Sequence, residues 1–327
     1  MAYTFKTRAF GPNAKGDTLS FEELDDSLLF LSESIANNLT SSINRGKNFI
    51  LVDSDNSPEL NALNLSSSYV EAKSLSPSIN NRVSVLITPG KYSFSSEFKV
   101  DTQYIDLVSL TGDCDVFITG SNTLNVTAND VYLRGIDVYT KNFTIGDNLN
   151  SLKMKSCKGG ANSFGGATDP IIGATASIGT LVTGKFIDCE GGDNSFGGNG
   201  LAYGTFLDCI GGDGSFGFDC NGTFENCTGG NWSFAGEHNI EGGSFKNCTG
   251  KENSFASIGD IKVGSTLEDC TGEKDSFASS PTSNIEGNLI KCILTSGSFS
   301  EVNIINSGSF TLCINEENKV QTTNTTT

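Results

Sequence analysis

Seven times in this chain a cysteine is followed, seven residues later, by a phenylalanine: Cys157/Phe164, Cys189/Phe196, Cys209/Phe216, Cys227/Phe234, Cys248/Phe255, Cys270/Phe277 and Cys292/Phe299. An eighth aligned cysteine, Cys313, closes the series, and the successive separations from Cys157 are 32, 20, 18, 21, 22, 22 and 21 residues. A unit of about 21 residues is too small to bury a core alone, so copies at that period must stack on one another. The repeat predicts a solenoid.

The columns of the repeat say what each position does. Three residues before each aligned Cys stands Met154, Phe186, Phe206, Phe224, Phe245, Leu267, Leu289 or Phe310. Directly before the Cys stand Asp188, Asp208, Asn226, Asn247 and Asp269 in five of the eight copies. These residue types tolerate left-handed backbone, so a corner is expected there. A corner lets the −3 residue and the Cys both face inward, where a straight strand would put them on opposite faces. Gly stands two positions after the Cys in six of seven copies and marks a second turn or tight approach. Ser at +6 and Phe at +7 occur in all seven complete copies, with Gly, Ala or Ser next, and read as a second inward-facing strand. Stacked in parallel, such rungs place equal residues about 4.8 Å apart in ladders. The expected fold is all-β: a single-stranded parallel β-helix with a short N-terminal α-helix.

The 10 cysteines fit this architecture better than they fit disulfide or metal chemistry. Buried free Cys behaves as a small hydrophobe. In-register parallel strands also hold Cβ atoms farther apart than the roughly 3.8 Å a disulfide prefers, so free thiols are expected. Cys114 and Cys220 lie outside the ladder. There is no Cys-x-x-Cys pair, and a single histidine, His238, cannot build a Cys/His zinc site. No metal and no cofactor are expected.

A net charge of −17 works against a nucleic-acid partner, because phosphate binding needs clustered Lys and Arg. No stretch approaches the roughly 18 apolar residues of a membrane span, and the first residues lack a secretory h-region, so a soluble product without membrane insertion is expected. The organisation reads as four parts. Residues 1–47 form an attachment or capping segment with a helix at about 20–38. Residues 48–150 are irregular first rungs, 151–316 the regular rungs, and 317–327 a polar disordered tail. In the helix, Ser20 and Glu23 make a capping box. Phe21, Leu24, Leu28, Leu31 and Ile35 are spaced three, four, three and four, a heptad seam. That seam either plugs the open end of the solenoid or joins copies of the chain.

Two stretches resemble known proteins. "KGDTLSFEELDDSLLFLS" resembles the short element that begins many tail-fibre and tailspike proteins of tailed bacteriophages. "VSVLITPGKYSFSSEFKVDTQYIDLVSLTG" resembles the first rungs of pectin-lyase-like right-handed β-helices in such proteins. The resemblance implies a right-handed helix and a virion protein of the tail, made in the cytoplasm of a bacterial host. It also implies a homotrimer partnered by tail or baseplate proteins and a host-surface polysaccharide as ligand. The aromatic-rich C-terminal trimerisation or autocleaved domain of large tailspikes has no counterpart here.

Three functions follow. As an enzyme, a glycan hydrolase or lyase, the chain would use Asp188 and Asp208, whose equivalent rung positions permit a separation of about 5 Å, that of a retaining pair. A turn role also explains both. As an adhesin it would use Trp232, His238 and Tyr203, with the spacer at 165–184 projecting as a loop. As a scaffold it needs only a rigid rod. The reading adopted is a non-enzymatic tail-fibre or tailspike-like protein, structural or host-recognising.

Overall fold

Alternation builds the first rungs. In "VSVLI" (β2, Val83–Ile87) the residues Val83, Val85 and Ile87 are buried and the two between them are half-buried, the period of two that a strand imposes. A computed structural model describes residues 48–120, 124–138, 143–145, 152–159, 164, 181–198, 200–280, 282–296, 303–304, 309–311, 313–314 and 320–321. The helix expected at 20–38 with its seam, most of the 165–184 spacer, and Phe299 lie outside the described residues.

The chain is a parallel β-solenoid. One sheet runs its length with twelve strands. It begins with β1 (Asn48–Val52) and β2, continues through the three-residue strands Thr205–Leu207, Thr223–Glu225 and Ser244–Lys246, and ends at Ser309–Thr311. Every pairing in it is parallel and in register, so that Phe206 lies beside Phe224 and Phe224 beside Phe245. A second file starts at β3 (Gly90–Phe94), and a third sheet starts at β4 (Phe98–Val100).

The core is two files of rings. The +7 phenylalanines stack with centroids 4.7–4.9 Å apart from Phe164 to Phe277. The −3 phenylalanines stack at 4.5–5.2 Å from Phe186 to Phe245. The files meet edge to face at 5.9–6.5 Å. Both arrangements are favourable for ring quadrupoles. The eight aligned cysteines are buried beside them, and every cysteine of the described residues is free.

The corner before each Cys is present: φ is 51° at Asp188, 54° at Asp208, 55° at Asn226, 52° at Asn247 and 52° at Asp269. The Ser–Phe segment is not the expected strand. It is another corner, with Phe164, Phe196, Phe216, Phe234, Phe255 and Phe277 at φ of 51–62°. The next residue is left-handed too, at Gly197, Gly217, Ala235, Ala256 and Ala278, which explains why it is small. Left-handed backbone costs an L-residue about 1–2 kcal/mol. Burying a Phe side chain returns about 1.5–3 kcal/mol before stacking is counted, so burial wins. The Gly at +2 belongs to the same device: a Cβ on Gly191, Gly211, Gly229, Gly250 or Gly272 would overlap the Ser at +6 and crowd the Phe ring. Ser215 Oγ and Ser233 Oγ close the turn by donating to Gly212 O at 2.6 Å and Gly230 O at 2.8 Å.

The first rung holds a helix where strands and turns are expected. α1 (Pro58–Ser74) has Ser57 as N-cap, its Oγ accepting from Leu60 N at 3.3 Å, Pro58 in the first turn and Lys73 in the last. It buries Asn61, Ala62, Leu65, Tyr69 and Ala72 against the solenoid end. Lying between β1 and β2 in the chain, it takes the place of the first rung's remaining strands. The buried Asn61 is satisfied, donating to Ser54 O at 2.9 Å and Lys91 O at 3.1 Å. Tyr69 sets its ring edge-on to Phe98 at 5.6 Å and accepts the N–H of Asp101 at 2.9 Å through its hydroxyl. α1 is therefore the cap that an open sheet edge requires.

Charge ties the next rungs together. Asp106 of β5 (Ile105–Ser109) takes a two-pronged contact from Arg82 and accepts the Tyr132 N–H at 2.9 Å. Arg82 also donates to Asp130 O at 2.8 Å. At the far end, where a disordered tail is expected from 317, Val320–Gln321 pairs antiparallel with Cys313–Ile314. A reversed strand satisfies a rung edge that no further rung covers. Among the described residues no helix is long and apolar enough to cross a membrane.

Candidate functional site

Four surface aspartates of the rungs are occupied in stacking. Asp193 Oδ1 accepts the Asp213 N–H at 2.9 Å, and Asp213 Oδ1 accepts the Asn231 N–H at 2.7 Å. A second file repeats the scheme, with Asp219, Asn239 and Asp260 accepting the N–H of Asn239, Asp260 and Asn284 at 3.0, 2.8 and 2.8 Å. Each of these side chains ties its rung to the next. They supply the inter-rung bonding that turns cannot make by strand pairing.

A cleft lies where two columns are broken. The left-handed position five residues after the Cys is held by Asn194, Gly214, Trp232, Asn253 and Asp275, with φ of 53, 66, 59, 57 and 57°. Asn, Asp and Gly accept that backbone at low cost; Trp does not. Trp232 is also one of the large apolar side chains left exposed, at 37%. The second broken column is Gly198, Phe218, Gly236 and Ser257, where Phe218 replaces small residues. Trp232 and Phe218 line a cleft of about 290 Å³ with Asp193, Asn194, Asp213 and Glu237. Gly198, Gly214, Gly217 and Gly236 complete its lining and leave the space.

The candidates from sequence separate around this cleft. Trp232 lines it. His238 stands beside it, its ring centroid 3.9 Å from that of Phe218 with the planes tilted by 44°, and its Nδ1 3.7 Å from Asp219 Oδ1. Tyr203 lies outside the lining, its hydroxyl pushed to a higher pKa by burial first and then by Asp219 and Glu241. Asp188 and Asp208 are exposed corner residues away from the lining. Lys155 Nζ lies 4.0 Å from Asp188 Oδ2, and Asn226 Nδ2 donates to Asp208 Oδ1 at 2.9 Å, continuing to Asn247 at 3.2 Å. Asn194, Phe218, Glu237, Asp193 and Asp213 escaped sequence reasoning. The signal that reveals Phe218 is its exception to a column of small residues, which a search for shared positions passes over; the other four carry no such signal.

The cleft brings the aromatic side chains of Trp232 and Phe218 together with the carboxylates of Asp193, Asp213 and Glu237 and the amide of Asn194. Burial pushes the thiols of Cys157 and Cys189 in the ladder, and of Cys220 outside it, upward. Cys114, half-buried near Asp137, is pushed up to about 12, by burial first and then by that carboxylate. These four thiols are thus held in their neutral form, as packing groups.

Fold and site define a helix-capped parallel β-solenoid with a lateral aromatic–carboxylate cleft. No protein-family model matches the chain, and no curated protein matches it. Among solved structures it is similar to ORF18 of Geobacillus virus E2, at 11% identity and a TM-score of 0.39, over 93% of this chain. The chain spans 64% of the length of that structure.

Proposed function

We propose that this protein is a fibre-like component of a phage tail that holds a host-surface polysaccharide in the Trp232–Phe218 cleft without cleaving it. The observation that carries the reading is Trp232 itself. A bulky ring in a left-handed position otherwise given to Asn, Gly and Asp is a local strain kept at a cleft, and such strain marks a site under functional demand. The resemblance of the first rungs and of residues 15–32 to tail-fibre and tailspike proteins supplies the setting. In that setting the solenoid is a rigid rod, three copies associate, and tail or baseplate proteins hold them.

The non-enzymatic part rests on the carboxylates. Asp193 and Asp213 accept backbone N–H groups of the next rung, and Asp188 and Asp208 sit at corners with partners of their own. The test is a screen of bacterial surface polysaccharides against the full-length chain, followed by titration calorimetry of those retained. Trp232→Asn is expected to weaken binding at least tenfold, while Asp188→Asn and Asp208→Asn leave it unchanged. Equal binding by Trp232→Asn, or no polysaccharide retained, overturns the site. New reducing or unsaturated ends in the incubated polysaccharide assign cleavage instead.

A further inference from the structure

The cap helix is apolar on two sides. Its inner side is buried against the solenoid through Ala62, Leu65, Tyr69 and Ala72. Its outer side carries Leu60, Leu63 and Val70 at 44, 63 and 64% exposure, with Leu51 of β1 and Ile79 also exposed at 56 and 73%. Leu60, Leu63, Ser67 and Val70 are spaced three, four and three, so they form one stripe along the helix. A helix with apolar stripes on opposite sides is built to be sandwiched.

From this face we infer that the chain's own residues 21–35 dock on the outside of α1 as a second helical layer. Phe21, Leu24, Leu28, Leu31 and Ile35 repeat the same three–four spacing, so two heptad stripes face each other. Residues 36–47 connect that segment to β1, which starts at Asn48 beneath the cap. Twelve residues reach up to about 40 Å, more than the roughly 25 Å length of α1, so the seam can lie along the whole stripe in either direction. Docking removes Leu60, Leu63 and Val70 from water together with the seam. The end of the rod then consists of two layers, α1 sealing the sheets and the N-terminal segment sealing α1.

A photo-cross-linking residue placed at Leu63 of the full-length protein tests this. The expected product keeps single-chain mass on a denaturing gel, with the cross-link mapping into residues 20–38. A product of two-chain mass overturns the inference and gives the face to a second copy. A single-chain product that maps elsewhere, or none at all, overturns it as well. Leu28→Asp, in the seam and apart from the solenoid core, is expected to cut the cross-link yield at least tenfold with the melting temperature of the solenoid changed by no more than a few degrees. Unchanged yield overturns the pairing of the stripes. None of these outcomes bears on polysaccharide binding at Trp232.

Discussion

A phenylalanine held at positive φ gives up about 1–2 kcal/mol of backbone energy, and six stacked phenylalanines of this chain do so in file. The file persists because each ring is fully buried, with Phe196, Phe216, Phe234 and Phe255 stacked on both sides. Phe234→Ala is therefore expected to lower stability by about 3–5 kcal/mol in chemical denaturation, since the cavity opens in the middle of a stack. Trp232 shares the backbone conformation without that burial. Trp232 is exposed at 37%, so burial offsets the strain less completely than in the phenylalanine file. Trp232→Asn is expected to leave stability unchanged or raise it by up to about 1 kcal/mol, while the proposed polysaccharide binding weakens at least tenfold. A clear loss of stability would make the indole a structural group.

Elements in this solenoid are short, and their joints hold them. Three-residue strands contribute few hydrogen bonds each, so side-chain ties between rungs carry weight: the Asx files at the turns, and the Arg82–Asp106 contact among the first rungs. Asp106 is 9% exposed, and breaking a buried pair leaves a charge without its partner. Asp106→Asn is expected to cost about 2–3 kcal/mol by denaturant titration, below the fully buried range because Arg82 is partly in water. The helix α1 shows how an element escapes a periodicity reading. Apolar on two sides and interrupted by Ser66, Ser67 and Ser68, its sequence has neither one clean stripe nor a strand's alternation.

At the scale of the molecule, the rod is quasi-one-dimensional: each rung touches mainly its neighbours, and its ends need caps. Buried thiols, two of the ladder and one outside it, link this architecture to pH. The pKa values of Cys157, Cys189 and Cys220 are raised in the fold, so the unfolded chain loses those protons first as pH rises. Their contribution is full below the ordinary thiol value of about 9 and is lost above it. The melting temperature is expected to hold from neutral pH to about 8 and to fall beyond 9. A thiol reagent at neutral pH should find the ladder unreactive until denaturant is added, after which all 10 cysteines titrate. Prompt reaction of several thiols in the native protein would contradict their burial.

The sequence by itself determined the repeat, the inward columns, the corner before each Cys and the free thiols. Each is a local requirement restated in every rung, and stacking makes a local requirement visible as a column. It did not reveal that Ser–Phe is a corner, because Phe is not a residue that local preference places at positive φ; only the depth of the ring stack makes that conformation favourable. Nor did it reveal the cap at 58–74, whose helical state depends on the sheet edge beneath it. The cleft was legible in one residue, Trp232. Its partners come from other rungs, and only the stacking of one rung on the next brings Phe218, Asp193 and Glu237 around the same space.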